Sequence, residues 1–171
     1  MNVVLTGSSG WLGRFLAPLL RAHGHRVTGL DVAPGVDTDV LGSVHEPAAV
    51  ERAFAHAARA GRAGRVDAVI HAAALHKPDI ARSPARAFVD VNVLGTQLLL
   101  DAASAAGATR FVFTSTTSLM VSHALRGAER GDAVWLDEAS GPLVPATSTA
   151  RPSSPPRRCA APTTTPPACP A

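Results

Sequence analysis

The sequence predicts an α/β fold: a doubly wound parallel sheet, truncated after its fifth strand and followed by a disordered, proline-rich tail. Three observations predict it. Short apolar runs alternate with amphipathic helical stretches up to about residue 114, three glycines spaced by three follow the first run, and composition changes abruptly over residues 145–171. Strands separated by helices pair in parallel through right-handed crossovers, which leaves helices on both faces of the sheet.

Residues 2–6 (NVVLT) are a β-branched apolar run, the first strand. In the helix after it, Leu12, Phe15, Leu16, Leu19 and Leu20 recur at helical spacing and predict one buried face, with Gly24 as the stop. Pro18 lies inside this helix, where it removes a backbone hydrogen bond and predicts a bend. Residues 25–30 (HRVTGL) give a second strand ending at Asp31, and residues 35–40 a weak third. Pro47 opens a helix that carries Val50, Phe54, Ala57 and Ala58 on one side and stops near Gly61. Residues 67–71 (DAVIH) form the fourth strand. Residues 85–106 predict one helix with Phe88, Val91, Gly95, Leu98, Ala102 and Ala105 along a stripe, while Asp90, Gln97, Asp101 and Ser104 face away. Residues 110–114 (RFVFT) complete the sheet as its fifth strand.

The 171 residues are 46% hydrophobic and 17% charged, the balance of one globular domain, which we place at residues 1–144. A pI of 9.6 suggests a nucleic-acid partner until the charges are located. No acidic residue follows Glu138, and Arg151, Arg157 and Arg158 lie beyond it, so the net charge of +3 belongs to the tail and indicates no basic binding face. Both cysteines, Cys159 and Cys169, also lie in the tail, and the seven histidines show no metal-ligand spacing. No metal site is predicted. The first apolar run is too short for a signal peptide and no segment reaches the roughly 20 apolar residues that span a bilayer, so a cytoplasmic location without a membrane partner is expected. Residues 145–171 are rich in proline and contain no Leu, Ile, Val or aromatic side chain, so they cannot bury a core and are expected to be disordered.

The stretch TGSSGWLGR, Thr6 to Arg14, carries the chemistry. Gly7 permits a tight turn off the strand, Gly10 clears a side chain from the path of a diphosphate, and Gly13 lets the helix pack closely on the sheet. A diphosphate would rest on the positive helix amino terminus, with Ser9, Trp11 and Leu12 beside it. Asp31, at the end of the second strand, can accept hydrogen bonds from both ribose hydroxyls, and its charge repels a 2′-phosphate. A Rossmann-like dinucleotide site follows, with NAD favoured over NADP. Arg14 is either a solvated helix-surface residue or one that softens this preference.

The spacing TGxxGxxG and the segments after it resemble the extended short-chain dehydrogenase/reductase family, the NAD-dependent epimerases and dehydratases. Asp39 and Val40 stand where that family places an Asp-hydrophobic pair against the adenine. His71-Ala72-Ala73-Ala74 looks like its HxAA segment, which lines the ribose and nicotinamide side of the cofactor. Asn92-Val93-Leu94-Gly95-Thr96 resembles the NVxGT helix motif, whose asparagine supports backbone geometry near the active site. Residues 113–118 (FTSTTS) resemble the strand-end segment that carries a catalytic Ser or Thr; alignment on Phe111-Val112-Phe113 selects Thr116, with Ser115 as the alternative. Trp135 and Glu138 resemble the loop before the catalytic tyrosine, or Trp135 anchors local packing. His76 and Lys77 either touch substrate or lie at the surface. The resemblance implies an NAD-dependent oxidoreductase acting on a small-molecule hydroxyl or carbonyl substrate, often a nucleotide sugar.

It also implies a Tyr-x-x-x-Lys pair, whose phenolate serves as acid and base while the lysine lowers its pKa. This sequence has no tyrosine, and Lys77 is its only lysine. The relay cannot be assembled from this chain, so turnover is not expected. Two alternatives stand: a non-catalytic dinucleotide-binding or sensor module, and a nonfunctional frameshifted product. For the second, G/C-rich codons for PATSTARPSSPPR, read one frame over, allow a stretch containing Tyr-x-x-x-Lys; the nucleotide sequence across codons 145–157 tests this. Family dimers use helices partly encoded farther on, so no oligomeric state is assigned. Without later strands, the fifth strand is expected to be an exposed edge and the chain marginally stable.

Overall fold

In the computed structural model, residues 1–61 and 64–116 are described. The tail, Trp135 and Glu138 lie outside them. The first apolar run becomes β1 (Asn2–Thr6), buried along its whole length at the centre of a five-stranded parallel sheet. From β1 the chain passes through α1 (Trp11–Ala22) to β2 (Arg26–Asp31) and β3 (Val40–Leu41), then through α2 (Pro47–Ala60) back across β1 to β4 (Ala68–His71). A 3₁₀ helix (Lys77–Ala81), not anticipated from the sequence, precedes α3 (Ala85–Val89), α4 (Gly95–Ala105) and β5 (Arg110–Phe113). The sheet order is β3-β2-β1-β4-β5, with Val4 beside Thr28 on one side and Val69 on the other. Strand order reverses at β1 and β4, and the carboxyl ends of those strands are where such sheets hold ligands.

Strand alternation sorts the core into two faces. Val4, Leu30 and Val69 pack with Val50, Ala53 and Phe54 of α2 and Leu99 and Ala103 of α4. Val3 and Leu5 point the other way, toward the face covered by α1, and both are buried. There the expected leucine face of α1 is corrected. Its buried residues are Gly13 and Ala17, whereas Leu12, Phe15 and Leu19 are 37%, 66% and 54% exposed. The cause is distance: a Cβ at Gly13 would run into Gly7 O and the Ser8 backbone, so the helix lies too close for large side chains to fit beneath it. Pro18 sits on the exposed side, and the helix continues past it to Ala22.

Two further expectations change. The third strand is shorter and later than residues 35–40, because the Thr38 N–H donates to Gly35 O at 3.1 Å and closes a turn there. The helix expected over residues 85–106 is one continuous helical path, but residues Asp90–Leu94 form a π turn in which the Gly95 N–H reaches Asp90 O, five residues back. The wider turn rotates the helix beyond it. The fully buried line of α4 runs through Gly95, Leu99 and Ala103, one residue on from the predicted Leu98 and Ala102. Gly95 is required where it stands, since a Cβ would lie 2.6 Å from Val44 Cγ2. Among the described residues β5 is an edge, with Val112 53% and Phe113 42% exposed.

Candidate functional site

Two adjoining cavities, of about 480 and 320 Å³, open at the carboxyl ends of the strands, and both are lined by Gly7, Gly10 and residues 72–75. The glycine loop forms the ridge between them. Gly7 has φ +73°, and a Cβ there would lie 2.8 Å from the Ala72 carbonyl carbon and the Ala73 nitrogen, so any side chain would push the two loops apart. The Gly10 N–H donates to Gly7 O at 3.0 Å, and the Arg14 N–H to Gly10 O at 3.1 Å. Helix α1 therefore starts at Gly10, with no side-chain cap and no acidic residue in its first turn. Its leading N–H groups and positive dipole end face the cleft, the arrangement that attracts an anion.

The smaller cavity holds Ser9 and Asp31. Asp31 Oδ2 accepts the Ser9 N–H at 2.9 Å and Oδ1 accepts the Ala33 N–H at 2.9 Å, so two backbone donors orient the carboxylate. Each oxygen retains a lone pair for a further donor. Asp39 and Val40 line neither cavity. The Asp39 carboxylate accepts the Gly29 N–H at 2.8 Å, and Val40 is buried in β3. Because β3 runs on to Leu41, the residues that reach the cleft are Gly42, Ser43 and Val44, which sequence reasoning passed over. The signal was Gly42, with φ +154°, ahead of the helix-opening Pro47.

The larger cavity brings together Trp11, Leu12, His71, Ala72, Ala73, Asn92, Ser115 and Thr116. His76 and Lys77 also line it, and the His76 Nδ1 lies 3.1 Å from Asp79 Oδ2, within the cap of the 3₁₀ helix. His71 is 2% exposed and stands against the rings of Phe111 and Phe113, at centroid distances of 6.3 and 5.6 Å. Burial lowers its pKa from 6.5 to about 4, so the imidazole is neutral at pH 7. Its Nδ1 lies 2.7 Å from Thr6 Oγ1 and its Nε2 3.0 Å from Thr96 Oγ1. The Asn92 amide grips one residue twice: Oδ1 accepts the Leu75 N–H and Nδ2 donates to Leu75 O, both at 2.9 Å. The sequence pattern places Asn92 but assigns no part to Thr6 or Thr96, which lie far from His71 along the chain. Among the described residues no group of three or more His, Cys, Asp or Glu is placed to hold a metal ion, and no helix is long and apolar enough to cross a membrane.

The profile of the NAD dependent epimerase/dehydratase family matches residues 3–130. The chain belongs to that family. A dTDP-glucose 4,6-dehydratase of Streptomyces antibioticus is 35% identical over 128 residues, covering 68% of this chain and 37% of the dehydratase. A UDP-glucose 4-epimerase of Klebsiella pneumoniae is 28% identical over 127 residues, 70% of this chain and 91% of that protein. Among solved structures, a short-chain dehydrogenase/reductase superfamily protein from Agrobacterium tumefaciens with bound NAD superposes with a TM-score of 0.66 at 32% identity, covering 87% of this chain and 40% of that one. This member of the NAD dependent epimerase/dehydratase family thus spans well under half the length of the dehydratase and of the Agrobacterium protein, and its described sheet is the Rossmann-like part of the family's fold.

Proposed function

We propose that the chain is the NAD-binding portion of an epimerase/dehydratase-type oxidoreductase whose intact form acts on a hydroxyl or carbonyl group of a small molecule such as a nucleotide sugar. The observation that carries this reading is the uncapped start of α1 at Gly10, facing the same cleft as the backbone-oriented Asp31. The N–H groups of the first turn of α1, at Trp11 and Leu12, would hold a diphosphate, and Asp31 would accept hydrogen bonds from the hydroxyls of the adjoining ribose. A 2′-phosphate would meet the Asp31 charge at close range, which favours NAD over NADP. Ser9, Trp11 and Leu12 would lie beside the diphosphate, and Ala72 and Ala73 would line the ribose and nicotinamide side. Asn92 holds the Leu75 backbone at the rim of the larger cavity. NAD, when bound, supplies a hydride acceptor at its nicotinamide. Thr116, or Ser115 in its place, orients the substrate oxygen by a hydrogen bond.

The acid/base pair of the family is missing from the sequence, which contains no tyrosine. We therefore expect NAD binding without turnover, and this absence also favours a second reading, a dinucleotide-binding module that senses or docks without catalysis. Calorimetry on the purified chain with NAD and NADP, beside a coupled assay with UDP-glucose and dTDP-glucose, tests both. Micromolar binding of NAD that exceeds that of NADP supports the proposal. No heat with either oxidised or reduced NAD overturns it, and turnover overturns the assignment of an incomplete catalytic set.

A further inference from the structure

Beneath the cleft one line of hydrogen bonds crosses from β1 through β4 to the π turn. The Ala73 N–H donates to Thr6 Oγ1 at 3.2 Å, Thr6 Oγ1 meets His71 Nδ1 at 2.7 Å, His71 Nε2 meets Thr96 Oγ1 at 3.0 Å, and the Thr96 hydroxyl donates to Asn92 O at 2.8 Å. Counting protons gives the line a direction. A threonine hydroxyl has one hydrogen, and that of Thr96 goes to Asn92 O, so Thr96 accepts from His71 and Nε2 carries the ring proton. The Nδ1 lone pair then accepts the Thr6 hydroxyl, whose oxygen accepts the Ala73 N–H. Every group is satisfied in this single arrangement. A proton on Nδ1 would oppose the Thr6 hydroxyl and leave its hydrogen without an acceptor at a residue that is fully buried.

Both ends of the loop after β4 hang from this line. Ala73 is tied at one end through Thr6, and Leu75 is held at the other by the side chain of Asn92, whose own carbonyl is the last acceptor. The Ala72–Ala73 peptide also packs on Gly7, the pivot of the glycine loop. We propose that His71 is a positioning residue: as the neutral Nε2–H tautomer bridging Thr6 and Thr96, it holds residues 72–75 against the glycine loop and so sets the width of the dinucleotide cleft. The groups packed on the ring are Thr6 from β1, Thr96 from α4 and Phe111 and Phe113 from β5, none of them charged. The role in binding rests on reading the cleft as a NAD site; the hydrogen-bond line does not.

Imidazole ¹⁵N–¹H spectra of the histidine-labelled full chain without NAD test the line. We expect the His71 signals of a neutral Nε2–H ring at pH 7, persisting well below the range in which exposed histidines protonate. An Nδ1–H ring or an imidazolium at pH 7 overturns the proposal. Amide exchange tests the pinning, also without NAD: Thr96→Val should raise exchange at Ala73 and Leu75 by up to about tenfold, the worth of one hydrogen bond, while Thr96→Ser restores protection. Unchanged exchange in a folded Thr96→Val chain overturns it. Titration with NAD then reads the consequence, a matching loss of affinity in Thr96→Val and recovery in Thr96→Ser. A wild-type chain that binds no NAD sinks the functional reading while the spectra and exchange still decide the role of His71.

Discussion

In the proposed reading, Asp31 concentrates the cofactor preference in one carboxylate. Replacing it with Asn keeps the shape but removes the charge and half of the acceptor capacity, so Asp31→Asn should weaken NAD binding about tenfold or more and narrow the gap between NAD and NADP, measured by calorimetry. His71 makes a prediction about pH. Its folded pKa of about 4 lies below the ordinary 6.5, so the unfolded chain takes up a proton first as pH falls. Stability from this group is complete above about 6.5, declines between 6.5 and about 4, and is lost below that, amounting to about 3 kcal/mol. Urea denaturation at pH 7.5 and pH 5 should show the decline, and His71→Asn should flatten it. Gly7, Gly10 and Asp31 were legible in the sequence because their requirements are local: a turn, a bare backbone, a strand end. Ser43 and Thr96 were not, since their positions depend on where β3 ends and on a histidine 25 residues away in the chain.

The elements show what periodicity conveys and what it hides. The order of strands and helices was readable because short apolar runs alternate with amphipathic stretches punctuated by Gly24, Pro47, Gly61 and Asp67, whereas the register of β1 against β2 and β4 came only with the structure, since strands buried on both faces carry no alternation to set it. The orientation of α1 was not, because five large apolar residues outweigh Gly13 and Ala17 in any hydrophobic count although only the small pair fits against the loop. Gly13→Val should therefore abolish NAD binding and lower the melting temperature more than Phe15→Val does, as followed by circular dichroism; equal losses would mean that α1 does not approach the loop this closely. In the α3–α4 path, the π turn gave no signal beyond Asn92 and Gly95, and it moved the buried line by one residue.

At the scale of the whole molecule, the exposed side of β5 and the outward apolar face of α1 leave, among the described residues, more apolar surface in water than a closed doubly wound sheet would. Among the described residues β5 is an edge strand, and with Val112 53% exposed it is a template for another chain. Val112→Lys should reduce concentration-dependent light scattering without altering NAD affinity. A variant that scatters as much as the parent would locate association elsewhere. The family and the sheet were visible in the sequence at this scale, since glycine spacing and strand alternation are properties of the chain as a line.

Trp11 stands at the lip of the cleft, 75% exposed and edge-on to Phe15 at a centroid distance of 5.7 Å. An indole so bathed in water emits at long wavelength, and a flat, light-absorbing guest arriving beside it dims that glow. With Trp135→Phe leaving a single emitter, the unlabelled protein becomes its own optical gauge of occupancy, readable in dilute solution where the sticky sheet margin has few neighbours to meet.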